Sequence, residues 1–287
     1  MKILNMLEYI GVSVLLLSIS VVCLYFNHRN TKERENQMLL RQIAYDSLGR
    51  TFSNPDDIRV YIREKGIWQP FLVLTANYMG SDRVLLLRMH IMDESIEFLS
   101  PETHELRTST NRRGIQYYPN SDIDIWLNTE YINSFSQSIK ENILTTEIVV
   151  WDGQRHEEPL GFWHQRGTEI VEKRVFLLSA AEVGAPVSRN DPVDGQFLAY
   201  FKRNDRLVTT QKGEIAAWWL RSVYSTVIGN TVAIIGGLDG ESFAFHTVNY
   251  NPFTNLPGMR PAFTLPSDTN IELYAIGVGG KVYVIHN

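Results

Sequence analysis

"WQPFLVLTANYMGSDRVLLLRMHIM", Trp68 to Met92, holds two apolar runs around a turn. Leu, Val and Ile dominate both runs, and "NYMGSD" between them carries turn residues. Such runs read as two strands, mostly buried, joined as an antiparallel hairpin of a core sheet. The first strand is read as starting after Pro70, because proline has no N–H for a ladder.

Working outward, "YYPNSDIDIWLNTEYINSFSQSIKENI" (Tyr117–Ile143) reads as a helix. Ser121 or Asp122 is placed to cap its free N–H groups. Ile123, Trp126, Leu127, Tyr131 and Phe135 recur near helical spacing and mark its core face. "LTTEIVVW" (Leu144–Trp151) is then a strand, and "DGQRHEEPLGFWHQRGTEIVEK" an insertion-like loop. "KRVFLLSAAEVG" (Lys173–Gly184) reads as a buried strand turning into a short helix, with Ser179 and Glu182 as a capping box. "EIAAWWLRS", "TVAIIGG", "ESFAFHTV" and "GMRPAFTL" read as further strands, and "IELYAIGVGGKVYVIHN" as a terminal hairpin through Gly279–Gly280. Strands, a helix, strands, a short helix, then many strands give an α+β fold with antiparallel sheets and two helices, not alternating βαβ.

The 287 residues suffice for one large or two small domains. A net charge of −5 with no basic block excludes nucleic acid as the main partner. Cys23 is the only cysteine, which excludes an intrachain disulfide and a cysteine metal site.

"YIGVSVLLLSISVVCLYF", Tyr9 to Phe26, is 18 residues long and uncharged. As a helix it spans ~27 Å, near the thickness of a bilayer core. The reading adopted is an uncleaved single-span anchor at residues 9–26; a cleaved signal peptide and a buried soluble helix are the rivals. "NTKERENQMLLRQIAYDSL" lacks Gly and Pro, so the helix is expected to run on as a stalk, with residues 1–48 forming anchor and stalk together. Arg29, Lys32 and Arg34 would by charge counting hold the following domain in the cytoplasm, although long domains translocate despite local charge.

Side chains that suggest chemistry have simpler readings. Asp122 and Asp124 suit a first helical turn, where the dipole favours acids. His156 and His164 fit no standard metal spacing, and Ser179 lacks a surrounding G-x-S-x-G. No catalytic residue, metal ligand or cofactor is assigned, and calcium is not expected.

Four stretches together carry a resemblance: "YPNSDIDIWLN" (Tyr118–Asn128), "VFLLSAAEVG" (Val175–Gly184), "WWLRS" (Trp218–Ser222) and "GMRPAF" (Gly258–Phe263). In this order they resemble an uncharacterised bacterial domain family common in Gram-positive bacteria. The resemblance spans about Phe71 to Leu265 and implies a C-type-lectin-like fold of the formylglycine-generating-enzyme branch. Some members of that branch are the variable proteins of diversity-generating retroelements, in which adenine-directed mutation rewrites a C-terminal segment. The resemblance therefore implies a binding protein, and the catalytic cysteines of the enzymes on this fold are absent. The N-terminus also resembles that of type IV pilins, with Glu8 beside the apolar run, but lacks the glycine of their processing site.

From Val223 to Pro257 there is no Lys, Arg, Gln, Met or Trp, and one Glu, Glu241. Asn codons mutated at adenine do not reach Lys, Glu, Gln, Met or Trp, so the stretch fits a diversified segment; a Gly-rich run of hairpins is the plain alternative. Tyr, Ser, Asn and Gly give adaptable contacts at low entropic cost. Tyr224, Asn230, His246, Asn249, Tyr250, Asn251, Phe253 and Asn255 are the expected ligand contacts, and Trp218, Trp219, Arg221 and Arg260 the scaffold. Residues 49–266 are expected to form the lectin-like domain, with 223–257 as its binding segment and 267–287 as a C-terminal hairpin. The expected function is an extracellular, membrane-anchored receptor or adhesin for a protein or glycan, with a structural or regulatory subunit of a pilus or envelope assembly as the alternative, and an enzyme on this fold as the last.

Overall fold

The structure, a computed structural model, describes residues 37–45, 59–80, 82–94, 96–100, 102–103, 117–152, 167–185, 193–202, 216–226, 229–235, 243–247, 257–277 and 280–285, with backbone alone in 223–247 and 275–280. The chain divides into two units, Met1–Met38 and Leu39–Asn287. Among the described residues no helix is long and apolar enough to cross a membrane; the run Tyr9–Phe26 lies outside them.

In the second unit the hairpin of Trp68–Met92 is the centre of a sheet. β1 (Arg59–Glu64), β2 (Ile67–Thr75) and β3 (Arg83–Arg88) form an antiparallel meander. Val84 to Leu87 are all buried, as an unbroken apolar run demands. Pro70 lies inside β2 rather than before it. Its carbonyl accepts Met89 N–H just past the end of β3, so the missing proline N–H falls where the ladder has already stopped. Met79 (φ 56°) and Gly80 (φ 72°) make the turn.

β10 (Ala262–Pro266) pairs with β3, and β6 (Val175–Phe176) pairs with β10. At the other end β11 (Asn270–Gly277) and β12 (Gly280–Val284) form the expected C-terminal hairpin. These seven strands of the eight-stranded sheet lie in the order β11-β12-β1-β2-β3-β10-β6. β12 runs parallel to β1, with Tyr283 opposite Val60. The terminal hairpin is thus part of the main sheet, and the sheet is mixed rather than wholly antiparallel. Parity of the apolar residues predicts which face is buried but not the neighbour a strand selects.

The helical stalk expected through Leu48 does not extend over the described residues at its end. Gln37–Leu39 is extended and Leu40–Ile43 is a single 3-10 turn. Leu40 and Arg41 N–H bond to the carbonyls of Thr269 and Ser267, and Leu40, Ile43 and Ala44 are buried. Burial of these apolar groups outweighs the helix propensity of the segment.

The helix expected over Tyr117–Ile143 is broken. Ser121 caps α1 (Asp122–Thr129) by accepting Asp124 N–H, and Ser136 caps α2 (Gln137–Asn142) by accepting Ile139 N–H. Between them Tyr131–Ser134 is a 3-10 turn and Phe135 is extended, bridging to Glu64. That bridge carries Phe135 between Phe71 (6.2 Å) and Phe263 (5.3 Å), the aromatic centre of the core. Two α-helices thus come from this one stretch. The second helix expected at "SAAEVG" is a single turn: Ser179 and Glu182 exchange the two capping-box bonds, but no regular helix follows.

β4 (Thr146–Trp151) and β5 (Thr168–Lys173) form a two-stranded antiparallel ribbon. Sequence pattern alone places β5 in a loop. It carries Thr, Ile and Val but no apolar-polar alternation, and Ile170 is 63% exposed, so pairing with β4 rather than burial makes it a strand. A three-stranded antiparallel sheet of β7 (Trp218–Thr226), β8 (Gly229–Ile235) and β9 (Phe243–Thr247) completes the described architecture.

Candidate functional site

β7 changes character along its length. Trp218 through Ser222 are buried. Trp219 N–H bonds to Gly258 O (3.0 Å), Gly258 N–H to Ala217 O (2.8 Å), and Arg221 N–H to Leu178 O (2.9 Å). This half of the strand is therefore held by the framework. On its β8 side the register steps from Trp219 opposite Ile234 to Val223 opposite Val232. Three residues of β7 thus face one of β8, a bulge that sharpens the local twist. The boundary read from composition, between Ser222 and Val223, falls at this bulge.

Arg221 sits within the bulge and is fully enclosed. Its Nη1 donates to Glu182 Oε2 (2.7 Å) and Leu177 O (2.8 Å). Its Nη2 donates to Glu182 Oε1 (2.9 Å) and Asp194 O (2.8 Å), and its Nε to Val149 O (3.0 Å). A bidentate pair plus three carbonyls uses all five guanidinium donors. Burial alone would lower the Arg221 pKa, but the Glu182 carboxylate, Tyr78 and Asp194 outweigh it and leave it raised. Glu182 also accepts Tyr78 Oη–H (2.5 Å) and Ser179 N–H (2.8 Å). Burial, then the Glu182 charge, raises the Tyr78 pKa well above its ordinary value.

Next to this pair, Ser222 Oγ accepts Ala180 N–H (2.6 Å) and donates to the Asp194 carboxylate. Gly195 must stay bare: a Cβ there would lie 2.7 Å from Glu182 Cγ and 2.8 Å from Ser179 Oγ. Burial raises the Asp194 pKa, opposed by the Arg221 charge and the Ser222 and Ser179 hydroxyls, with Glu182 adding to the rise. The folded state then binds a proton that the unfolded chain releases, so stability falls as pH rises from the ordinary Asp value through the raised one. Asp194→Asn removes this dependence. The variant is expected to gain stability relative to the parent between acidic and neutral pH in urea titrations. A difference that is flat, or that grows towards acid, would contradict the assignment.

Arg260 is held differently. Its Nε donates to Arg88 O (3.1 Å) and its guanidinium lies 4.7 Å from the Trp218 ring centre. Arg88 itself is paired with Glu64 (3.0 Å), which also accepts Tyr131 Oη–H (3.0 Å). Trp218, Trp219, Arg221 and Arg260, read as scaffold, are all buried.

The expected contact residues are placed less fully. In the ladder Tyr224 stands opposite Thr231, Asn230 opposite Ser225, and His246 opposite Val232. Register positions alternate between the two faces of a sheet, so Asn230 and His246 fall on one face and Tyr224 on the other. Asn249, Tyr250, Asn251, Phe253 and Asn255 lie outside the described residues, as do His156 and His164. Among the described residues no three His, Cys, Asp or Glu side chains come together to hold a metal ion. The two carboxylates of α1 are occupied: Asp122 accepts Ser100 N–H (2.5 Å) and Thr103 Oγ1–H (2.8 Å), and Asp124 pairs with Lys173 (2.5 Å).

Sequence reasoning did not single out Tyr78 or Asp194. It read Glu182 as a cap rather than as the partner of Arg221, 39 residues away. The one legible signal was an acid three residues after Ser179 on a segment too short to be a stable helix.

An α+β domain with an arginine-stapled framework carrying a three-stranded meander is the class that these features define. Residues 81–267 match the family described as a domain of unknown function, DUF6273, and the chain belongs to that family. No curated protein and no solved structure matches it.

Proposed function

We propose that this chain is a surface-displayed binding protein whose framework presents the segment Val223–Pro257 to a protein or glycan ligand. The observation that carries the reading is the coincidence of two boundaries. Composition loses Lys, Arg, Gln, Met and Trp at Val223, and the ladder of β7 breaks into its bulge between Trp219 and Val223. A segment that is free to change needs roots that are not. The Arg221 staple before it and the Gly258 bridge after it supply such roots.

In this reading the fold is C-type-lectin-like, residues 9–26 anchor the chain in a membrane, and the domain stands outside the cell as a receptor or adhesin. Retroelement-directed diversification of Val223–Pro257 is part of the proposal, and the pilin-like N-terminus is one way of mounting the domain. Among the described residues no nucleophile-base set favours an enzyme.

Sequencing the gene from sister isolates tests diversification: substitutions should concentrate in codons 223–257 and at adenines. An even spread over the gene would end that part of the proposal. Binding is tested by screening the purified full chain against bacterial and host surface proteins and glycans, with the Tyr250→Ala/Phe253→Ala double variant as control. Retained ligand with that variant would move the contact surface elsewhere. Protease treatment of intact cells tests display: a domain cut only after lysis would overturn the outward placement.

A further inference from the structure

Arg221 is one buried cation beside two buried carboxylates. Its Nη1 and Nη2 are spent on the Glu182 carboxylate, and from Asp194 it takes only the backbone carbonyl. The Asp194 side chain, in a residue 1% exposed, is met by a hydroxyl instead: Oδ2 accepts Ser222 Oγ–H. Oδ1 is buried with no hydrogen-bond partner among the described residues. An anion in this position is costly, because a buried charge has to be paired and fully hydrogen-bonded. A neutral carboxyl costs far less: Oδ2 keeps the Ser222 bond and only an uncharged group is left unsatisfied.

Asp194 belongs to residues 193–202, a strap that closes on the Arg221–Glu182 pair. Among the described residues the strap joins no sheet; its one regular piece is the 3-10 turn Ala199–Lys202. It is fastened by Arg221 Nη2 to Asp194 O (2.8 Å), by Ser222 Oγ–H to the Asp194 carboxylate, and by Leu198 N–H to Glu182 O (2.9 Å). Between these points Gly195 packs against Glu182 and Ser179 so closely that no Cβ fits. Asp194, Gly195 and Leu198 are buried, whereas Val193, Gln196 and Phe197 are exposed, so one side of the strap faces the pair and the other faces solvent. A segment without ladder bonds, tied at a few points, belongs to the units of a domain that open most easily.

We propose that residues 193–202 form a proton-gated clasp over the Arg221–Glu182 pair, closed while the Asp194 carboxyl is neutral and opening to water as that carboxyl ionises. The groups that face the carboxyl pull in opposite directions. Arg221 on β7 and the hydroxyls of Ser222 and Ser179 favour the anion; Glu182, on the turn after β6, opposes it. Tyr78, bonded to Glu182, stays protonated. Burial outweighs the Arg221 charge, so the carboxyl keeps its proton above the ordinary Asp range. Closure is therefore fully supported below that range and is lost as pH rises through the raised value. Opening of the clasp is a local event, separate from unfolding of the domain. It frees Arg221, the root of β7, from Asp194 O, and so sets how firmly the segment Val223–Pro257 is held. An effect on ligand binding rests on the function proposed above; the clasp itself does not.

The test is amide hydrogen exchange of the purified full chain between about pH 4 and pH 8, corrected for intrinsic rates. Leu198 N–H, bonded to Glu182 O, reports the clasp, and Arg88 N–H, bonded to Pro261 O, reports the central sheet. Leu198 should be at least about tenfold less protected than Arg88. Its protection should fall by up to about tenfold per pH unit, the slope of one linked proton, until Asp194 is ionised. Asp194→Asn, a neutral side chain of the same shape, should hold Leu198 protection constant over the range. A ¹³C titration of the Asp194 carboxyl in the parent should show it ionising above the ordinary Asp range, and it decides the matter if Asp194→Asn does not fold. An Asp194 that titrates at or below that range, pH-independent protection of Leu198 in the parent, or the same slope in a folded Asp194→Asn overturns the proposal. So does protection of Leu198 equal to that of Arg88, because the strap would then open only with the whole domain. The expected exchange pattern without a hit in the ligand screen would leave the clasp standing and the display function unsupported.

Discussion

Glu182→Gln should be among the most destabilising single changes in the domain. The substitution keeps the shape of the side chain but leaves the fully buried Arg221 without its counter-charge. It also turns an amide N–H₂ towards one of the two guanidinium donors it formerly accepted, and weakens the acceptor for Tyr78 and Ser179. Removing one partner of a buried ion pair costs about 3–5 kcal/mol. For a unit of this size that corresponds to a fall in melting temperature on the order of 10 °C. Replacing both members by apolar residues should not restore the loss, because Leu177, Asp194 and Val149 carbonyls also rely on Arg221. A Glu182→Gln loss below about 1 kcal/mol in urea denaturation would mean that water reaches the pair and screens it.

Gly258→Ala should be comparably severe for a steric reason. A Cβ at this position would lie 2.0 Å from Ile91 Cγ2 and 3.6 Å from Met92 O. The backbone cannot slide away, because Gly258 is bonded through both its N–H and its carbonyl to the strand carrying Trp219, and Met259 is bonded to Met92. Overpacking of a fixed site costs about 1–3 kcal/mol, and more where relaxation is blocked. Ile91→Ala removes the clashing methyl, so Gly258→Ala/Ile91→Ala should be less unstable than the sum of the two single changes. Additive losses in that double-mutant cycle would show that the methyl contact is not the cause. Because Gly258 roots the C-terminal end of the proposed binding segment, ligand affinity should fall together with stability in Gly258→Ala.

The sequence marks Arg221 in "WWLRS" and Arg260 in "GMRPAF" alike, as scaffold. The structure gives the two arginines different surroundings: Arg221 has a bidentate carboxylate, whereas Arg260 has a carbonyl and a tryptophan face. Nothing local distinguishes them. Both are preceded and followed by apolar or small residues, and the deciding partner of Arg221 lies on a turn far away in the chain.

Local pattern by itself determined the α+β class, the central hairpin of Trp68–Met92, the terminal hairpin ending in "KVYVIHN" and the capping role of Ser179, and narrowed the cap of α1 to Ser121 or Asp122. These depend on alternation, turn chemistry and caps, which act over a few residues. The tertiary structure alone decided where the long helix breaks, because Phe135 bridges Glu64 and enters the core at the expense of helical bonds. It alone turned "TEIVEK" into a strand and the end of the expected stalk into a buried turn, since pairing and burial by distant residues outweigh weak local propensity. The position of the bulge in β7 and the enclosure of Arg221 belong to the same class. Long-range packing sets both, and neither can be read along the chain.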